Sequence, residues 1–171
     1  MKYRLTLAIC AALMLPATAM ACEKLTGNFT LCTEGTPWAK GNWVSGGDSD
    51  TLYLGDIAFE GFEDYGGSGS GKSLAADMAF TEGRWSNDAT TVVAPHVNDQ
   101  FRTKTLNVYR TIETVTHATE TPTLWVTMIA SGGGNRIMMT VRAPAETPVD
   151  QIDQMSRDFA TLIRPAQPGD S

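Results

Sequence analysis

The chain has 171 residues, and its 13 basic and 19 acidic residues give a formal net charge of −6. Such an acidic surface repels phosphate backbones and anionic lipids, so we expect no binding to nucleic acid or to a membrane surface. The length is typical of one domain that buries its own core.

The first 21 residues have the pattern of a cleaved signal peptide. Basic Lys2 and Arg4 precede an apolar run at 5–15, and small residues end in Ala19-Met20-Ala21, a motif that signal peptidase recognises. The apolar run is about half as long as the roughly 20 residues of a membrane-spanning helix, so the mature protein should have no membrane span. We therefore predict an exported, periplasmic protein of bacterial type that begins at Cys22. Loss of the two basic residues would change its net charge from −6 to −8.

Two cysteines, Cys22 and Cys32, remain once Cys10 is removed with the signal. An even pair in an oxidising compartment indicates a disulfide, and a closed loop of about ten residues should stabilise the fold by somewhat less than roughly 3 kcal/mol. The alternative is lipidation of Cys22, as in bacterial lipoproteins. Those proteins usually carry leucine three residues before the cysteine, where this chain has Ala19, so we favour the disulfide.

The front half of the mature chain predicts short strands and one helix. Apolar alternation favours strands at 29–31 and at 51–59, and the spacing of apolar residues favours a helix at 73–85. Between 87 and 104 we predict one strand at 91–94 and otherwise loop.

Three alternating segments follow at 106–112, 124–128 and 137–141, separated by turn-rich stretches. Strands joined in this way form an antiparallel meander. Trp125 and Ile129 make the middle strand apolar on both faces, which is typical of a central strand covered on both sides.

The last predicted element is an amphipathic helix. Thr147 can cap it, Pro148 occupies the first helical position, and Asp150 completes the start signature. The apolar residues that share one face are Val149, Ile152, Met155, Phe159, Leu162 and Ile163. Pro165 should end the helix, and 166–171 should form a flexible tail.

The segment Gly66–Ser73 satisfies the phosphate-binding pattern G-x-x-x-x-G-K-[ST]. That pattern needs a buried parallel strand before it, but Glu60, Glu63 and Asp64 bring negative charge to its entrance. We therefore predict a flexible linker that leads into the helix, and no bound nucleotide. The same three acids lack the ligand alternation of a calcium loop, so we expect a solvated acidic turn.

Gly41-Asn42-Trp43 is similar to the G-x-W motif of lipocalin barrels. Lipocalins are uninterrupted eight-stranded meanders, and the predicted helix at 73–85 would interrupt one. We expect Trp38 and Trp43 to pack beneath the N-terminal segment that the disulfide holds.

His96 and His117 are the residues that could serve as a catalytic base. His96 follows Pro95 in a predicted loop and His117 ends a predicted strand. Neither has a serine, cysteine or carboxylate at a spacing that indicates a triad. Together with Cys22 and Cys32 they also lack the paired spacing of a zinc site. We predict two solvent-facing imidazoles, no catalytic residues, no metal and no cofactor.

The order of elements carries a resemblance to a known family. Phe29-Thr30-Leu31 leads to Trp38, the segment 57–64 feeds the helix at 73–85, and the meander runs through Val141-Arg142-Ala143-Pro144 into the closing helix. This order resembles the PsbP-like superfamily, which includes the extrinsic photosystem II protein, a nuclear Ran-binding protein and bacterial periplasmic proteins. The resemblance implies an α+β fold in which helices flank an antiparallel sheet as an α/β/α sandwich. It implies no shared catalytic residues, and members bind partners or have no defined function.

These observations favour a single α+β domain at 22–165 that is not an enzyme. We expect a monomer that binds another periplasmic or envelope protein through a sheet face or a loop. The alternative is a small-ligand carrier, such as a lipocalin-like barrel, or a small periplasmic hydrolase with a pocket between sheet and helices. A closely packed core without a pocket at His96 or His117 would favour the first function, and a large cavity would favour the second.

Overall fold

The computed structural model describes residues 22–46, 49–64, 73–85 and 91–168. The predicted signal peptide, the Gly/Ser stretch at 66–71 and residues 169–171 lie outside this described part. Its strands are β1 (Cys22–Lys24), β2 (Phe29–Cys32), β3 (Asn42–Gly46), β4 (Ser49–Leu54), β5 (Ile57–Asp64), β6 (Thr91–Arg102), β7 (Asn107–His117), β8 (Thr123–Gly132), β9 (Asn135–Pro144) and β10 (Ile163–Pro165). Its helices are a short 3₁₀-helix (Pro37–Lys40), α1 (Leu74–Trp85) and α2 (Val149–Leu162).

The described strands form two sheets, and every neighbouring pair is antiparallel. The larger sheet has the order β3-β4-β5-β9-β8-β7-β6, and the smaller sheet has the order β1-β2-β10. The predicted meander is confirmed, because β7, β8 and β9 are consecutive neighbours in the larger sheet. At the β8–β9 turn, Gly133 and Gly134 have φ angles of 59° and 82°, a left-handed conformation that glycine adopts without a steric cost.

The main core lies between one face of the larger sheet, the smaller sheet and α2. Aromatic rings are at its centre, since the ring centroids of Trp38 and Phe59 are 4.4 Å apart and those of Phe59 and Phe159 are 4.2 Å apart. The buried aliphatic side chains of this core include Leu31, Leu52, Val108, Ile112, Val126, Val141, Ile152 and Ile163. The apolar face predicted for α2 is therefore confirmed.

Helix α1 packs on the opposite face of the larger sheet. Successive strand residues point to opposite faces, so Ile129 of β8 points away from the main core that contains Met128. Ile129 forms a smaller apolar cluster with Met78 of α1 and Met138 of β9. The middle strand is thus covered on both faces at Ile129, whereas Trp125, the other residue on which the prediction rested, is half-buried. Neither α-helix of the described residues is long and apolar enough to cross a membrane.

The predicted α+β fold, in which helices flank the sheet as an α/β/α sandwich, is wrong. The described chain is mainly antiparallel sheet, with ten strands and two α-helices of 12 and 14 residues, too little helix for a layer on each face of a seven-stranded sheet. The sequence does not predict β1, β3, β10 or most of β6. All side chains of β6 are exposed or half-buried, so it lacks the apolar alternation by which a strand with one buried face is recognised.

The two ends of α2 also differ from the prediction. Pro148 precedes the helix as its N-cap residue and no side chain caps it, so Thr147 does not have the predicted role. At the other end the helix gives way to β10, which pairs with β2. Ala166 then donates a backbone hydrogen bond to Asn28 O at 2.8 Å, so the chain stays attached to the smaller sheet just beyond the strand.

Candidate functional site

Strand β6 is an outer strand of the larger sheet. Eleven of its 12 residues pair with β7, and in the described part of the chain no strand pairs with its other edge. The free edge of an outer strand carries unpaired N–H and C=O groups, so it can accept an added strand.

Two neighbouring valines are exposed at the start of β6. Val92 is 65% exposed and Val93 is 38% exposed. Because successive side chains of a strand point to opposite faces, both faces of the sheet are open to solvent here. Thr91–Ala94 contains no charged residue. This segment, which we call the β6 edge segment, therefore presents backbone groups and apolar side chains together.

A β-bulge ends the β6 edge segment. The register of β6 against β7 shifts between Pro95 and Val97, which makes His96 an extra residue. Proline has no N–H, so Pro95 also removes one hydrogen-bond donor from the strand. Regular pairing along this part of the free edge is thus limited to residues 91–94.

The two histidines lie on the same pair of strands, and each ring bonds a threonine of the other strand. His96 Nε2 is 2.8 Å from Thr114 Oγ1, and His117 Nδ1 is 2.8 Å from Thr91 Oγ1. The prediction that His96 lies in a loop is wrong, although its side chain is exposed, and His117 is half-buried rather than solvent-facing. Among the described residues, neither ring is hydrogen-bonded to a carboxylate, serine or cysteine.

Arg110 of β7 is completely buried and lies in an ionic cluster. Its Nε and Nη2 donate to the two carboxylate oxygens of Asp99 at 3.2 and 3.1 Å. Its Nη1 donates to Asp153 O at 3.0 Å and to Ser156 Oγ at 2.6 Å, and Nη2 also donates to the Asp153 carboxylate. A guanidinium has five N–H groups, so all of them are used and none is left for a ligand.

The same cluster joins β6 to α2. Asp99 is on β6, and Asp153 and Arg157 are on α2. Arg157 donates to both carboxylates, and its guanidinium carbon lies 4.7 Å from the centre of the Phe101 ring. We call these residues with Ser156 the Arg110 cluster. Its two cations balance its two anions, so it positions the outer strand on the helix and does not attract a charged ligand.

The Arg110 cluster is not among the sequence-based predictions, although the sequence contains one signal for it. Arg110 has the same parity as Val108 and Ile112 in an alternating strand, and those two residues are in the main core. An arginine at an inward position must be paired, because charged side chains are almost never fully buried without a partner.

The acidic residues before the glycine-rich stretch lie on β5, so the predicted acidic turn is wrong. Glu60 forms an ion pair with Arg142, and Asp64 accepts a hydrogen bond from Thr26 Oγ1 at 2.7 Å. The Glu63 side chain lies outside the described residues. In the described ranges, no three His, Cys, Asp or Glu side chains are grouped as metal ligands would be.

The remaining sequence motifs have structural roles where the structure describes them. Of the phosphate-loop match only Ser73 is described, and its Oγ accepts a hydrogen bond from the Ala76 N–H at 3.2 Å in the first turn of α1. Trp43 is half-buried, with its ring centroid 6.2 Å from that of Phe62. The described strands form an open sheet with β3 and β6 at its edges, which differs from a closed lipocalin barrel.

A cavity of about 370 Å³ lies beside α2, and its lining includes Trp38, Leu54 and Met155. A second cavity, of about 320 Å³, lies where the start of α1 meets β6 and β7. Both are near the lower limit of ligand pockets, which range over roughly 300–1,000 Å³. Neither cavity is lined by His96 or His117.

The predicted disulfide is confirmed, and it joins Cys22 and Cys32 at directly opposite positions of β1 and β2. Arg164 of β10 donates from Nε to Cys32 Sγ at 3.3 Å and from Nη2 to Cys22 Sγ at 3.6 Å. Thr30 of β2 is buried, and its Oγ1 is the one buried side-chain polar atom of the described residues without a hydrogen-bond partner. The smaller sheet therefore combines a disulfide, a cation and an unsatisfied hydroxyl.

No protein-family model matches the chain, and no curated protein sequence matches it significantly. The resemblance to the PsbP-like superfamily therefore stays a prediction. A function must be proposed from the edge strand, the cavities and the side-chain clusters themselves.

Proposed function

We propose that the protein is an exported, non-enzymatic binding module that accepts an extended segment of another exported polypeptide along the β6 edge segment. The exposure of Val92 and Val93 on an outer strand is the observation that carries this proposal. This proposal assigns the predicted binding of an envelope protein to one edge of the larger sheet.

The β6 edge segment favours an uncharged partner segment that is rich in β-branched residues. The backbone of an added strand would pair with the free edge, and its side chains would lie beside Val92 on one face and Val93 on the other. A charged side chain would lose hydration there without gaining an opposite charge, because 91–94 carries none. The bulge at His96 keeps the added strand short, which favours a reversible complex over extended sheet association.

The Arg110 cluster supports the same proposal. Binding costs less when the binding element already has its bound conformation. Asp99 ties the second half of β6 to buried Arg110 and, through it, to α2. The part of β6 beyond the bulge is therefore held on α2, and the β6 edge segment itself is positioned by its pairing with residues 114–117 of β7.

A small-ligand carrier is the second candidate function. The cavity beside α2 favours it, since Trp38, Leu54 and Met155 give that space an apolar wall. We place it second because the cavity is small and its carboxylate, Asp158, already accepts a hydrogen bond from Gln154 at 2.8 Å.

The proposed compartment is the periplasm. The signal pattern at 1–21 lies outside the described residues, so the disulfide is the structural feature that supports export. Disulfides form and persist in oxidising compartments and are rare in the cytosol.

A photoreactive amino acid at position 92 or at position 44 tests the proposal in the native host. Val44 is the matched control, because it is a 46% exposed valine on β3, the outer strand at the opposite edge. We expect the probe at 92 to crosslink to one discrete exported polypeptide and the probe at 44 to give no such product. Equal crosslinking from both positions, or none from position 92, would contradict the proposal.

Amide hydrogen exchange with the purified partner then tests the mode of binding. Exchange should slow by about tenfold or more at 91–94 and stay unchanged at 42–46, because an added strand protects the amides it pairs with. Val92→Lys should abolish the slowing, since a lysine on an edge opposes strand addition, and Val44→Lys should not. If the amides at 91–94 remain protected in the Val92→Lys variant, the β6 edge segment is not the binding surface.

A further inference from the structure

We propose that the Cys22–Cys32 disulfide is a site of stoichiometric thiol–disulfide exchange, in which a dithiol reduces the bond once and Arg164 holds the leaving thiolate. This activity is independent of binding at the β6 edge segment, because the disulfide belongs to the smaller sheet and β6 to the larger.

The disulfide lies on the face of the smaller sheet that points away from the main core. In the strand register, Lys24 and Arg164 are opposite Thr30, and Cys22 is opposite Cys32. Side chains alternate along a strand, so these five share one face, while the alternate residues of β2 point into the main core. A reductant can therefore approach the sulfurs without opening that core.

The two sulfurs differ in access. Cys22 is half-buried, whereas Cys32 is only 9% exposed. Because Cys22 is the more exposed residue, we infer that an incoming thiolate attacks Cys22 Sγ, which makes Cys32 the leaving group. Arg164 has its shorter contact, 3.3 Å, with Cys32 Sγ and its longer contact, 3.6 Å, with Cys22 Sγ. The cation is thus closest to the sulfur on which negative charge develops.

The contact between Arg164 and Cys32 should strengthen as the bond breaks. A disulfide sulfur is a weak acceptor, but a thiolate carries a full negative charge. An interaction that is stronger in the transition state than in the ground state accelerates the step.

The exchange takes place in two steps. First, a thiolate of the dithiol attacks Cys22 Sγ, a mixed disulfide forms, and the electron pair of the broken bond stays on Cys32. Next, the second thiol of the dithiol loses its proton and attacks the dithiol sulfur of the mixed disulfide, and Cys22 leaves and takes up that proton. The dithiol is oxidised to a disulfide, and the protein is left with a Cys22 thiol and a Cys32 thiolate.

Exchange would release the N-terminal strand. Among the described strands β1 pairs with β2 alone, whereas β2 also pairs with β10. Without the disulfide, the three residues of β1 are held by one short antiparallel pairing, which is marginal in water. The smaller sheet would thus lose β1 and keep β2 and β10.

The rate at which dithiothreitol reduces the folded, oxidised protein tests the role of Arg164. Arg164→Gln should lower the second-order rate constant roughly fivefold to tenfold, and Arg164→Lys should restore part of it. Lys24→Gln is the matched control, because it removes the same charge from the same sheet face and should leave the rate unchanged. An unchanged or higher rate for Arg164→Gln, or equal slowing by Lys24→Gln, would overturn the proposal.

Glutathione, a monothiol, tests which sulfur is attacked in the unaltered protein. After partial reaction and acid quenching, peptide mapping should find glutathione on Cys22 and a free thiol on Cys32. Glutathione found mainly on Cys32 would overturn the proposal. This measurement needs no variant, so it decides the direction of attack even if Arg164→Gln fails to fold.

Discussion

At the scale of single residues, one buried cation connects the outer strand of the larger sheet to α2. The Arg110 side chain has no exposed surface, while Asp99 and Asp153 retain 28% and 33% side-chain exposure. Removing the arginine would leave two partly buried carboxylates together without their cation. Removing one partner of a buried ion pair therefore lowers the stability of the fold strongly, even where the intact pair itself contributes little to stability.

We predict that Arg110→Met lowers the free energy of unfolding by about 3 kcal/mol, because methionine fills part of the space but cannot balance either aspartate. Arg157→Gln removes an arginine with 35% side-chain exposure from the same cluster and should cost less than about 1 kcal/mol. Urea unfolding followed by circular dichroism measures both losses. Equal losses in the two variants would show that burial is not what makes Arg110 important.

The disulfide and the Arg110 cluster show which residue roles could be predicted from sequence. Once Cys10 is assigned to the signal, Cys22 and Cys32 have one possible pairing. Arg110 instead finds its carboxylates 11 and 43 residues away, on another strand and on a helix. Which carboxylates pair with Arg110 depends on how the strand and the helix are arranged in the folded protein. The spacing of residues along the sequence does not reveal that arrangement.

At the scale of elements, α2 is held by its apolar face and not by a cap. No side chain caps its first turn. Phe159 is completely buried, and its ring centroid lies 4.2 Å from that of Phe59 and 5.1 Å from that of Trp38. The energy that fixes this helix therefore comes from packing in the main core.

Two substitutions in and before α2 should therefore have very different effects. Phe159→Ala should lower the free energy of unfolding by about 3–4 kcal/mol, because it removes a buried aromatic ring and leaves a cavity. Thr147→Ala should change it by less than about 0.5 kcal/mol, because no capping hydrogen bond is lost. Urea titration of the two variants gives both values. A loss above about 1 kcal/mol for Thr147→Ala would indicate a cap after all.

Periodicity explains which elements were predictable. The strands β7, β8 and β9 and the helix α2 each bury a face, so their apolar residues recur with the period of a strand or a helix. Strand β6 is exposed on both faces from Val92 to His96 and contains a proline, so no period is visible there. Strand β10 was not predictable for another reason. Ile163 continues the apolar pattern of α2, so the sequence predicts helix where β10 begins.

At the scale of the whole molecule, both the fold class and the candidate site depend on strand order. The larger sheet is open, and β6 is available because it comes last in that order. Whether a strand is central or outer follows from all the pairings of the finished sheet. The sequence therefore predicted the meander but could predict neither its extension to seven strands nor the β6 edge segment.

The fold as a whole should survive loss of the disulfide. The double variant Cys22→Ser with Cys32→Ser should stay folded and lose about 2–3 kcal/mol of unfolding free energy, because a bridge with a sequence separation of 10 restrains only a short loop. Thermal and urea unfolding followed by circular dichroism measure the loss. A variant without cooperative unfolding would show that the main core depends on this bond.

The strand order also determines when a growing chain can fold. Strand β5 gains its inner neighbour only when β9 exists, and the hydrogen bond from Thr140 Oγ1 to Glu60 O spans 80 residues. Arg164 reaches Cys22 across 142 residues. Neither sheet can therefore close until almost the whole polypeptide has been synthesised. Up to that moment the chain cannot complete its fold, and an incompletely folded polypeptide is the form that can be threaded through a narrow membrane channel.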